Sequence, residues 1–329
     1  MSDRRRERGR RPPVQAGFDS WSQGEHKASA RIARGIVVPA ARPGFTLSPN
    51  ARVFHIGSRF ARGMETDLAA AGVQTLSRDP SAALAELRSN PTRGLLNKYN
   101  PVAIRQELDW ASGIEDFPRE FLLSHGGAYV DPGLHELAPA GDMNTIMRRR
   151  EGVSAYFARA FRADLVVITL STTEVWFDRR TRLALNGPPL KRIYRTDPDR
   201  FSFRPVLFEE VLAHLKAACS VLNGENPKLK IVIAVSPVPL ERTYGPEDII
   251  VATQTAKSTL HAAATQVAAA TPSVDYFPCY EAVTTSDPAR AWESDRRTVR
   301  PEMMRALTAA FIERYGLMLT PESPTAGRA

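Results

Sequence analysis

The sequence predicts a single α/β domain built on a doubly wound, three-layer parallel sheet with a helical insertion, and three observations carry that prediction. Short apolar runs without polar alternation stand at Val53–Gly57, 164–170 and Lys230–Val235, as expected of parallel strands covered on both faces. Segments of helical character separate them. The runs end in Gly57, Ser171 and Ser236-Pro237, residues that suit a chain leaving a sheet.

The elements follow in order. Val53–Gly57 reads as the first strand, and 58–71 (SRFARGMETDLAAA) as a helix of good formers stopped by Gly72. Val73 to Leu76 is the candidate second strand. Asp164 to Leu170 is a β-branched run. Phe208 to Leu222 carries a helical stripe of Val211, Leu212, Leu215, Ala218, Cys219 and Leu222. Lys230–Val235 is again a strand, 250–270 an Ala-rich helix, and Val274–Phe277 the last strand. Pro301–Tyr315 closes the fold as a helix with Pro at its start. Residues 80–150 read as a mainly helical insertion. Residues 177–206, rich in Arg, Pro and Asp, read as an excursion from the sheet edge. The domain is therefore expected over 51–320, after a largely disordered lead-in over 1–50 and before a tail over 321–329.

Composition narrows the classes. The net charge of the 329 residues is +8, but residues 1–11 hold six arginines against Asp3 and Glu7, half of that excess. This stretch reads as a solvated tail rather than a nucleic-acid site. Two cysteines, Cys219 and Cys279, make no disulfide framework. No signal-peptide core and no membrane-length apolar run is present, so a cytoplasmic, reduced protein without membrane partners is expected. No GxxxxGK[ST] run or closely spaced Cys/His set stands in the chain, and neither a nucleotide nor a metal cofactor is expected.

In open α/β sheets, ligands bind beyond the carboxyl ends of the strands. Ser58, Ser171 to Trp176, Ser236 to Pro239 and the loop from Phe277 to Val299 converge there. Trp176, Tyr244 and Trp292 serve there as pocket walls or else as core. Arg59, Arg296 and Arg297 gather near Ser58, favouring an anionic group, or else face solvent.

The segments HIGSRFARG (55–63), NKYNPVAI (97–104), TEVWFD (173–178), SPVPLERTY (236–244) and DYFPCYEAVTTSDPARAWESDRRTV (275–299) occur in the order of the GSCFA family. The chain resembles that family, which is placed among the GDSL-like, or SGNH, hydrolases. The resemblance implies a flavodoxin-like sheet and an ester hydrolase or acyltransferase with a serine nucleophile. Ser58 matches that serine, while the family's next residue, a cysteine, is Arg59 here. SGNH enzymes carry Asp-x-x-His before the last helix. Here Asp295 matches and Thr298 stands in the His position.

A serine hydroxyl needs an adjacent base, and threonine accepts no proton near neutral pH. His135, in YVDPGLH (129–135), stands as a substitute base, although His55, His125, His135, His214 and His261 each read first as structural. Asn100 is the best match to an oxyanion-hole asparagine and is equally a turn residue before Pro101. Thr173 and Glu174 follow the strand block where the SGNH resemblance implies that asparagine, and no Asn stands there. Two readings stay open: an SGNH-like enzyme acting on a small-molecule or carbohydrate ester, and a catalytically silent member that binds a ligand or partner in the same cleft.

Overall fold

The computed structural model describes residues 20–24, 27–40, 43–78, 84 and 94–317. The Arg-rich stretch and the tail over 321–329 lie outside the described residues. Ala28–Ile32 (α1) precedes a lead-in whose Ile36, Val38, Phe45 and Leu47 pack on the body. Val53–Gly57 (β1) enters the sheet and Arg59–Ala70 (α2) leaves it. Pro101–Ser112 (α3) is followed by a small antiparallel hairpin of Leu123–His125 (β2) and Ala128–Val130 (β3), then by Met143–Phe157 (α4). Leu165–Leu170 (β4) returns to the sheet. Glu174–Asp178 (β5) and Phe201–Pro205 (β6) pair as a second hairpin around Lys191–Thr196 (α5). Phe208–Glu225 (α6), Lys230–Val235 (β7), Ile249–Ala270 (α7) and Val274–Phe277 (β8) complete the alternation. Cys279–Thr285 (α8), Pro288–Ala291 (α9) and Pro301–Tyr315 (α10) follow.

The central sheet is parallel, in the order β1-β4-β7-β8. Successive residues of a strand point to opposite faces, and both faces are apolar. Phe54, Ile56, Val166, Ile168, Ile231 and Ile233 join one core with α3, α4, α6 and α7. Val53, Leu165, Val167, Val232 and Ala234 join the other with α2, α8 and α10. A strand that serves two cores has no polar face, which is why its sequence runs apolar without alternation.

One expectation is corrected and two gain detail. Val73 to Leu76 adds no strand, only a single parallel bridge of Thr75 to Val53. The next donor on β1, the His55 N–H, goes to Ser77 Oγ (3.0 Å), and Leu76–Arg78 coils as a 3₁₀ turn. The insertion over 80–150 contains the β2–β3 hairpin as well as helices. Gly126 and Gly127 both have positive φ there (60° and 79°), as a two-residue type I′ turn requires. The excursion over 177–206 is a hairpin that begins earlier, at Glu174. Its aromatic residues pair across strands, Trp176 opposite Phe203, and the surrounding Arg, Asp and Pro mask that pattern. Among the described residues no helix is long and apolar enough to cross a membrane.

His55 is buried in β1 and neither ring nitrogen has a hydrogen-bond partner. Burial, helped by the nearby Arg62, pushes it down to about 3 from 6.5. The unfolded chain binds this proton between those values and the folded chain does not, so stability falls as pH falls from about 6.5 towards 3. Urea unfolding at a series of pH values is expected to show that slope in the wild type and a flatter one in His55→Leu. An equal slope in both would place the acid sensitivity elsewhere.

Candidate functional site

Beyond the carboxyl ends of β1, β4 and β7 lies a cleft of about 700 Å³. Ser58 is the N-cap of α2, in extended conformation, and its hydroxyl caps no helix N–H. Only 8% of the residue is exposed, and Oγ has no hydrogen-bond partner among the described residues. Gly57 allows this turn. A Cβ there would lie 2.8 Å from Thr169 O, too close for any other residue to fit without movement.

The segment 97–100 crosses the strand ends and forms the floor. Lys98 N–H donates to Gly57 O (3.1 Å), and Ser171 and Thr172 N–H donate to Tyr99 O (3.0 and 3.1 Å). Asn100 caps α3 by accepting from Ala103 N–H through Oδ1 (2.8 Å). The residue is 2% exposed and lines the cleft, and its Nδ2 has no hydrogen-bond partner among the described residues. Below the floor, buried Lys257 donates from Nζ to Ser171 O (2.6 Å), and burial pushes its pKa down to about 7.

Buried charges hold this floor in place. Lys98 Nζ bonds Glu107 Oε2 (2.6 Å) and Gly133 O (2.5 Å). Glu107 also bonds Arg150, whose other arm reaches Asp131 Oδ2 (3.2 Å). Asp131 Oδ1 accepts from Gly133 N–H (2.8 Å). Burial alone pushes the Glu107 carboxyl up, but Arg150 and Lys98 outweigh it and hold it below the usual range. One network therefore ties α3 and α4 to the floor and to the loop that carries His135.

The walls differ in character. Trp176, Phe203 and Tyr244 form an aromatic wall, with ring centroids 5.1 to 5.5 Å apart. Glu174 Oε1 accepts from Thr243 Oγ1 (2.5 Å) at its foot. Next to Tyr244, a chain of charges runs from Glu136 through Arg242 to Glu241 and Arg297, with N···O distances of 3.8, 3.7 and 3.2 Å.

The cleft thus brings together Ser58, Arg59, Asn100, His135, Glu174 and Thr298. It leaves out Asp295, Arg296 and Trp292. Asp295 is exposed and serves the turn before α10: its Oδ1 accepts from Thr298 and Arg297 N–H (2.8 and 2.9 Å), and its Oδ2 from Thr298 Oγ1 (2.7 Å). These bonds, Thr298's first, hold its carboxyl down at about 2. Of the expected triad, Ser58 and Thr298 face one cleft, and Asp295 stands behind Thr298.

His135 lies in the cleft wall, edge-on to Tyr99, and burial holds its pKa below the ordinary value. Its Nδ1 accepts from Leu137 N–H (3.1 Å), so the neutral ring carries its proton on Nε2. The remaining nitrogen is a donor, which ill suits a base. His55 is buried in β1, and His261 Nε2 pairs with Glu281 (2.8 Å) on α7. His125 and His214 sit on β2 and α6 away from the cleft. Phe203, Asn186, Arg242 and the four buried charges were not singled out from sequence. The spacing of Phe201 and Phe203 was the available signal for the aromatic wall. Among the described residues no cluster of three or more His, Cys, Asp or Glu suits a metal ion.

With this geometry in place, a model of the GSCFA family matches residues 52–311. No match was found among curated proteins. Among solved structures, the chain is similar to one titled "Salicylyl-Acyltransferase SsfX3 from a Tetracycline Biosynthetic Pathway", at 13% identity and a TM-score of 0.31. That similarity covers 81% of this chain and 53% of that one, so the chain spans about half of its length.

Removing Glu107 leaves Lys98 and Arg150 buried without their shared anion. Glu107→Ala is expected to lower stability by about 3–5 kcal/mol, read by urea unfolding. A loss below about 1 kcal/mol would mean that the network does not hold the floor.

Proposed function

Because the chain belongs to the GSCFA family, we propose that its cleft is an acyl-transfer site of SGNH type, with Ser58 as the acyl acceptor and an ester as substrate. The observation that carries this reading is the Ser58 hydroxyl, at a strand end and without a hydrogen-bond partner among the described residues, in a cleft that Asn100 also lines. Ser58 Oγ attacks the ester carbonyl and the alcohol leaves. Water or another hydroxyl then takes the acyl group from the serine. The N–H groups at the start of α2 and Asn100 Nδ2 supply the donors that a carbonyl oxygen needs as it gains charge. An O-acylated sugar suits the cleft as substrate. Its ring has an apolar face for Trp176, Phe203 and Tyr244, and hydroxyls for Glu174 and Asn186.

The proton of Ser58 has no imidazole waiting for it. A site of this kind retains the acceleration of its oxyanion donors and binding, on the order of a thousandfold over water, and lacks that of the base. A second reading, a cleft that binds its ligand without turnover, is favoured by Thr298, whose hydroxyl is already committed to Asp295.

The two readings separate in one experiment. The acyl-transfer reading expects slow fluorophosphonate labelling of the full chain that disappears in Ser58→Ala. It also expects Thr298→His to raise hydrolysis of a short acyl ester by about a hundredfold. An unlabelled wild type with no gain in Thr298→His would leave the silent reading standing.

A further inference from the structure

We propose that the cleft seats an anionic group of its substrate, a carboxylate or a phosphate, between Arg59 and Arg297, beside the ester site at Ser58 and Asn100. The inference deepens the acyl-transfer reading by naming the charge of the substrate, and its binding step stands without turnover.

The argument begins with what is uncompensated. Arg59 is the first residue of the twelve-residue α2 and lines the cleft. Its guanidinium makes no ion pair or hydrogen bond among the described residues. Arg297 also lines the cleft, and its Nε–H is buried without an acceptor. The carboxylates nearby are already engaged. Glu241 holds Arg297 and Arg242, Glu136 holds Arg242, and Glu174 accepts from Thr243. The arginines and glutamates of the lining balance overall, and Glu174 keeps its charge beside Thr243; Arg59 is the lining cation without an ion pair among the described residues.

Two buried side chains point to a ligand independently of these arginines. Ser58 and Asn100 are 8% and 2% exposed, and each keeps a polar group at the cleft without a hydrogen-bond partner among the described residues. For Ser58 this group is the hydroxyl; for Asn100 it is Nδ2, since Oδ1 is taken by the helix cap. The positive end of α2 faces the same place. All of these groups can donate, and the hydroxyl alone can also accept. A neutral ester uses one or two of them. An oxyanion accepts from several at once, and charge-assisted bonds are the stronger kind.

Isothermal titration of the full-length chain, at fixed pH and ionic strength, tests this with three probes: succinate, inorganic phosphate and the neutral dimethyl succinate. Binding of succinate or phosphate, and not of the diester, is the expected result, and the anion that binds identifies the chemistry. Arg59→Gln is expected to raise its Kd at least about tenfold, the scale of one hydrogen bond to a charged group. Arg305→Gln, exposed on α10, removes the same charge outside the cleft and is expected to keep the wild-type Kd. Absence of binding by both anions, or an equal Kd in Arg59→Gln, overturns the proposal. Anion binding by the wild type that weakens in Arg59→Gln, together with no fluorophosphonate labelling of the wild type, would remove the acyl-transfer reading and leave this one intact.

Discussion

The site depends on four charges that never meet water. Lys98, Glu107, Asp131 and Arg150 are each less than 5% exposed, and they alternate in sign through space. Taken singly, each would be costly to bury. Together they satisfy one another, and their bonds run from helix to helix and from helix to loop rather than within one element. Lys98 neighbours Tyr99 and Asn100, and Asp131 lies four residues before His135. A shift of either carboxylate would move the cleft floor. Arg150 also lies over the rings of Trp110 and Phe117, at 5.4 and 5.1 Å, which fixes its plane. Such a network adds little net stability over an apolar core of the same shape, and its value lies in fixing one arrangement.

Much of the fold was legible because the sheet imposes a simple demand. Each central strand must present apolar side chains to two helical layers, so 53–57, 165–170 and 230–235 stand out with no knowledge of their partners. The parts that were not legible obey different rules. The β5–β6 hairpin has Trp176 and Phe203 on one face and Val175 and Phe177 against a core on the other, and its strands are short. The edge beyond β1 is completed by the side chain of Ser77 where a strand was expected, an exchange that no periodicity announces.

The site was legible in its poles and obscure in its joints. Ser58 and Thr298 follow from motif order, and the cleft contains both. The pairing of Asp295 with Thr298 in place of a histidine could be foreseen as a missing base but not as a closed turn. His135 shows the limit most sharply. Sequence offers an imidazole, whereas only the bond from Leu137 N–H decides which of its nitrogens carries the proton. The four buried charges were invisible because their partners lie 9 to 43 residues apart.

The aromatic wall and the serine pole belong to different parts of the molecule. Ser58 is fixed by the sheet and by α2, while Trp176 and Phe203 ride on a hairpin that shares no hydrogen-bonded ladder with the sheet, and Tyr244 on the loop after β7. Exchanges of the rings at 176 and 203 leave the two sheet cores and the strand register untouched, since within β5 it is Val175 and Phe177 that meet one of those cores. Selection can therefore reshape what the cleft accepts at little risk to folding. Relatives with this scaffold are free to diverge in substrate faster than in architecture.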